Sequence, residues 1–169
     1  MALVIKGSSS GQITLDVPAS AGTNTLTIPA LTGTVGISAG GFRAQRNADD
    51  TVSASTYTKL QFDVEEFDIN SEFDHTTNFR FTPQTAGYYL IGGGFRGEST
   101  GTNILAIYFN GSLLFRKVTE GSKFVNLQVP IAFNGSSDYV EAFGFTTGTS
   151  FSGYNTGDSY FSGMFMRSL

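Results

Sequence analysis

Three stretches of this chain alternate as β-strands do, yet carry apolar groups on both sides. "GYYLIGGGF" (87–95) sets Tyr88 and Leu90 against Tyr89 and Ile91, and "ILAIYF" (104–109) sets Ile104, Ala106 and Tyr108 against Leu105, Ile107 and Phe109. "YFSGMFM" (160–166) sets Tyr160, Met164 and Met166 against Phe161 and Phe165. Successive strand residues point to opposite faces, and a strand of an antiparallel sandwich normally shows one face to the core and a polar one to water. These strands ask for burial on both. A chain of 169 residues has room for one sandwich core, so the second face must be covered by long loops of the same chain, by another copy or by another protein. Charged residues make up only 14%, against about 25% in an average soluble domain. A surface so poor in charge favours cover by another chain, and homo-oligomerisation is the economical form of it.

The rest of the sequence supports an all-β fold. With 21 Gly, 16 Phe and 7 Tyr, β-branched residues throughout and turn signals every ten residues or so, helical periodicity is not sustained anywhere. Strands are predicted at 41–45, 56–62, 78–81, 87–95, 104–109, 112–118, 124–132, 139–145 and 160–166, a spacing that fits a sandwich, jelly roll or barrel. "FNGSL" (109–113) and "FNGSS" (133–137) place Asn-Gly where a type I′ hairpin needs positive φ twice. Both also spell the N-glycosylation sequon, for which turn chemistry is the simpler account.

"SAGGFRAQ" (38–45) marks a boundary, with Gly40 and Gly41 expected as a flexible joint between an N-terminal arm, 1–37, and a head domain, 38–169. In the arm, "QITLDV" lines up Ile13, Leu15 and Val17, and "TLTIPAL" lines up Leu26 and Ile28; Pro18 and Pro29 close each run. Two such short strands bury too little area to stand alone. These five apolar residues are therefore the expected points of attachment to a neighbouring protein.

Composition also narrows the function. Ten basic residues against fourteen acidic ones give a net charge of −4, which offers nothing to the phosphate neutralisation that dominates nucleic-acid binding. With no cysteine there is neither a disulfide framework nor a thiolate site. "MALVIKGSSSG" is too short in apolar residues for a signal-peptide core, and no run approaches the roughly 20 residues that cross a bilayer. Neither nucleic acid nor membrane insertion is expected.

Motifs that resemble catalytic ones lack their context. Gly92, Gly94 and Gly97 satisfy G-x-G-x-x-G, but a dinucleotide fingerprint must open a helix; glycines there suit a kink or a close backbone approach. His75 is the sole histidine and sits in a turn-like "FDHTTN". "DVEEFDINSEFD" gathers Asp63, Glu65, Glu66, Asp68, Glu72 and Asp74, which invites Ca²⁺ or paired-carboxylate chemistry. It lacks the EF-hand glycine and reads as a solvated acidic loop. The sequence calls for no catalytic residue, metal or cofactor. A recognition role is expected instead of the loop "TTGTSFSGYNTGDSY" (146–160), where Phe151, Tyr154 and Asn155 offer aromatic area and adaptable hydrogen bonds for a sugar or a protein.

From residue 41 onward the chain resembles the C1q and tumour-necrosis-factor-like jelly rolls. The resemblance rests on Phe42 and Ala44 in "FRAQ", on "KLQFD" (59–63), and on "NSEFDHTTNFRFTPQTAGYYLI" (70–91) through Asn70, Phe73, Asp74, Phe79, Pro83, Gly87 and Tyr89. "FNGSLL" and the closing "YFSGMFM", through Phe161, Ser162, Gly163 and Phe165, complete it. It implies an antiparallel jelly-roll sandwich that forms a tight homotrimer, with Tyr88, Tyr89, Ile91, Ile107, Phe109, Phe161 and Phe165 expected at the trimer interface. The arm segment "ITLDVPASAGTNTLTIPALTGTVG" is similar to Gly/Thr/Pro-rich segments of tailed-bacteriophage structural proteins, tail-fibre-like ones in particular. Together these imply a non-enzymatic phage virion protein, anchored to other virion proteins by its arm and presenting its head to a host-surface glycan or protein. A capsid decoration protein and, less so, a secreted lectin-like module are the alternatives.

Overall fold

The computed structural model describes residues 3–6, 10, 12–15, 40–46, 48–97, 101–152 and 159–169. The chain divides into two compact units, residues 1–33 and 34–169. In the first, β1 (Leu3–Lys6) and β2 (Gln12–Leu15) form an antiparallel pair with Leu3 opposite Leu15 and Lys6 opposite Gln12. "QITL" is thus a strand, as expected. Its partner is the opening Leu3–Lys6, whose Lys6 hides its strand character in the sequence. Val17, Leu26 and Ile28 lie outside the described residues.

The second unit is an all-β sandwich, without α-helix among the described residues. One sheet is built around β9 (Gly87–Gly97), flanked by β12 (Phe124–Phe133) on one side and by β15 (Tyr160–Arg167), β3 (Gly41–Gln45) and β6 (Val64–Asp68) in turn on the other. The short β14 (Ser150–Ser152) and β4 (Asp50–Thr51) extend it at the far end of β9. The facing sheet runs β11 (Ser112–Thr119), β10 (Asn103–Phe109), β13 (Val140–Thr146), β8 (Arg80–Phe81) and β7 (Phe73–Asp74), with β5 (Thr58–Lys59) also on β13. All pairings are antiparallel.

Aromatic rings fill the space between the sheets. Phe42 stacks on Phe73 and on Phe81 at 4.5 Å each and meets the edge of Phe161 at 5.1 Å. Tyr89 and Phe133 extend the stack beyond Phe81. Such edge-to-face and offset pairs add to the burial of each ring, itself about 1.5–3 kcal/mol, which accounts for a tight core made without Trp or Cys.

Three features differ from the sequence reading. The acidic stretch is not all loop, because Val64–Asp68 forms β6, the terminal strand beside β3; charged side chains suit a strand whose outer edge must not recruit another. The two Asn-Gly turns also differ from each other. Asn110 and Gly111 take φ of 49° and 79° in a hairpin joining β10 to β11. At 134–135 only Gly135 has positive φ, since β12 and β13 belong to opposite sheets and the loop must cross over. There Asn134 Oδ1 accepts from the amides of Ser136, Ser137 and Asp138 at 2.9, 3.0 and 3.2 Å. Finally, Gly40 and Gly41 are not a loose joint. Both are buried, the amide of Ile69 donates to Gly41 O at 3.0 Å and that of Phe165 to Gly40 O at 3.2 Å. With φ of 106°, and with Asn70 where a Cβ would stand, residue 40 has to be glycine.

Candidate functional site

The register of β9 with β12 and β15 assigns their paired side chains to faces. Phe161, Gly163 and Phe165 lie opposite Gly93, Ile91 and Tyr89, and Val125, Val129 and Ile131 lie opposite Phe95, Ile91 and Tyr89. This inner face meets the other sheet. Tyr89, Ile91 and Phe161 on this face and Ile107 on β10 of the facing sheet are all fully buried, so these four, expected at the interface between copies, are core residues of a single chain. Phe109 and Phe165 pack against the same core from its margin. Of the seven expected residues only Tyr88 belongs to the outer face, where the Arg167 guanidinium stacks over its ring at 4.8 Å.

On that outer face Met164 lies opposite Leu90 and Gly41, Leu90 opposite Pro130, and Tyr88 opposite Ala132. It is an apolar field, with Met164 and Met166 exposed at 46% and 57%. A second apolar surface was not foreseen. β11 is the terminal strand of its sheet, and Leu113, Leu114, Phe115 and Val118 on it are all exposed. The signal was present in the unalternating "SLLF", which a strand edge shared with a neighbour would tolerate and a solvated one would not.

The loop expected to bear a ligand divides differently. Phe151, on β14, is buried with its ring 4.8 Å from Phe95, and is a core residue because β14 pairs with the end of β9. Tyr154 and Asn155 lie outside the described residues. Of the five arm residues, Ile13 and Leu15 lie on β2.

The six carboxylates of 63–74 are dispersed to separate structural tasks. Asp63 pairs with Arg46 at 2.8 Å, Glu66 with Arg43 at 2.6 Å, and Glu65 faces His75 Nδ1 at 3.1 Å. Asp68 accepts from the amide of Phe73 at 2.7 Å. Asp74 accepts from the amides of Thr76, Thr77 and Asn78, and these donors hold its pKa far below the usual carboxylate range. Glu72 is buried; loss of hydration pushes its pKa up, opposed by the Gln84 amide at 2.7 Å. Burial, with the nearby charge of Glu72, pushes the Tyr89 phenol up to about 12. Among the described residues no three His, Asp or Glu side chains converge on a point where a metal ion would sit.

Fold comparison agrees with this geometry. The chain superposes on the globular domain of zebrafish complement 1qA protein with a TM-score of 0.58 and 17% identity, covering 77% of this chain and 99% of that one. It superposes on murine APRIL with a TM-score of 0.60 and 9% identity, over 75% and 98% of the two chains. The PRD1 vertex protein P5 gives a TM-score of 0.57 and 12% identity, over 78% and 100%. No family model and no curated protein sequence matches the chain. The fold is therefore that of the C1q and tumour-necrosis-factor-like antiparallel jelly rolls.

Proposed function

We propose that this protein is a structural component of a bacteriophage virion: a non-enzymatic homotrimer whose head recognises the host surface and whose arm, residues 1–37, attaches it to other virion proteins. The observation that carries this reading is the pair of uncovered apolar surfaces, one on the outer face of the β9 sheet and one along β11. They lie on different parts of the sandwich. A contact between unlike surfaces of identical copies closes into a ring when the rotation allows, and obligate contacts of that kind bury about 2,000–5,000 Å². Tyr88, Leu90, Met164 and Met166 would then meet Leu113, Leu114, Phe115 and Val118 of the next copy. Three heads on one appendage turn weak contacts into firm attachment. The arm would add strands to a virion neighbour, satisfying its backbone groups there. Likeness to a phage vertex protein as well as to C1q supports a particle setting.

A second reading, a capsid decoration protein, is favoured by that same neighbour being a vertex protein. Quantitative mass spectrometry of purified virions separates the two, with a few trimers expected for a tail appendage and hundreds for decoration. Deleting 1–37 is expected to leave a soluble trimer in light scattering and to abolish incorporation. A stable single-chain species at micromolar concentration, or full incorporation without the arm, would overturn the proposal.

A further inference from the structure

The outer face of the β9 sheet changes character halfway along. Beyond Leu90, Pro130 and Met164 the register brings Gly92, Gln128 and Ser162 into one row, and then Gly94, Asn126 and Tyr160 into the next. The central strand contributes no side chain to this face at two successive outward positions, while both neighbouring strands carry hydrogen-bonding groups. The result is a trench with backbone for its floor. Its walls are close: a Cβ at Gly92 would stand 3.1 Å from Gln128 Cγ and 3.4 Å from Ser162 Oγ. Asn126, Gln128 and Tyr160 of these rows also line, with Lys117 and Leu127, a cavity of about 480 Å³. That is within the roughly 300–1,000 Å³ of small-molecule sites.

The chemistry of the lining selects among ligands. Asn126 and Gln128 are two residues apart on one strand, so their side chains leave the same face about 6.5–7 Å apart at the backbone, each amide offering donors and an acceptor. Among the described residues neither amide, nor the Lys117 ammonium, has a hydrogen-bond or ion-pair partner. The Tyr160 ring is braced by the Arg43 guanidinium at 4.6 Å, itself fixed by Glu66 at 2.6 Å. A fixed aromatic ring and two amides without protein partners, beside a strand that adds no side chain of its own, match a pyranose, which has an apolar C–H face and adjacent hydroxyls that both donate and accept. The one ammonium in the cavity lining, Lys117, matches a carboxylate.

Deepening the recognition-head reading, on which this inference rests, we propose that the Gly92–Gly94 trench binds one carboxylated sugar unit of a surface glycan, with Lys117 facing the carboxylate. The test is saturation-transfer NMR and calorimetry on the full chain with three probes, methyl glucuronide, methyl galacturonide and N-acetylneuraminate, each beside an uncharged sugar. At least one probe is expected to bind in the millimolar range, in preference to its uncharged counterpart. That binding is expected to weaken tenfold or more in Lys117→Gln, in Gln128→Ala and in Gly92→Val, which fills the floor. All three variants are expected to keep the parent's thermal midpoint within a few degrees. Saturation transfer to none of the probes, equal binding of the uncharged sugars, or binding that survives all three changes would overturn the proposal. None of these outcomes touches the light-scattering or incorporation measurements, so the site and the virion role fail separately.

Discussion

The inner and outer faces of the β9 sheet are written in similar residues and end in opposite conditions. Inward, Tyr89, Ile91 and Phe161 are closed against the second sheet. Outward, from the adjacent positions, Tyr88, Leu90 and Met164 lie on an apolar field that gives way to glycine, amides and a tyrosine. The difference teaches that apolar character in a strand specifies a demand for cover without specifying who supplies it. Here the same chain supplies it on one side, and on the other the proposed assembly would.

The sharpest way to break this contrast is to change one residue from each face. Phe161→Ala is expected to cost about 3–5 kcal/mol, because the ring is fully buried and touches Phe42, Phe62 and Phe73; urea unfolding reads the loss directly. Met164→Lys, three residues on, is expected to leave the single-chain unfolding energy within about 0.5 kcal/mol while shifting the assembly to single chains in sedimentation. If Met164→Lys unfolds the chain, or Phe161→Ala dissociates copies without destabilising them, the two faces are not distinct.

Smaller changes sharpen how closed the inner face is. The Tyr89 hydroxyl donates to Thr85 O at 3.0 Å, so Tyr89→Phe is expected to cost about 1 kcal/mol by thermal unfolding. Glu72 gives the smallest effect, read as a slope. Its pKa is raised in the fold above the ordinary 4.5, so the folded chain binds more proton than the unfolded chain between those two values. Stability therefore falls as pH rises through that window and is level above it. Glu72→Gln, which keeps an acceptor for the Gln84 amide, is expected to flatten the fall. An unchanged slope in Glu72→Gln would mean that Glu72 is hydrated.

Much of the architecture was legible in the sequence, and the exceptions have physical causes. Gly41–Gln45, Phe124–Phe133 and Tyr160–Arg167 are strands close to where alternation and turn residues put them. The phase of β9 was not legible, because Tyr88 and Tyr89, or Leu90 and Ile91, are equally good core residues and a period-two pattern with apolar groups at every position carries no phase. Phe151 looked like a loop tip since only small polar residues surround it in sequence, whereas its burial comes from Phe95, 56 positions away. Val64–Asp68 was hidden by its charges. Asn110-Gly111 and Asn134-Gly135 share a dipeptide and differ in whether their strands share a sheet, which local sequence does not record. The trench needed the register of three strands at once, of which the glycine run was the only sign within a single segment.

The clamped glycines at 40 and 41 have a mechanical consequence. A load applied at residue 40 enters this unit through β3, an interior strand bonded on one flank to β15 and on the other to β6. A pull along that axis loads both ladders together in shear, where an outermost strand would peel away bond by bond. The chain's entry into this unit is thus sewn into the middle of the cloth.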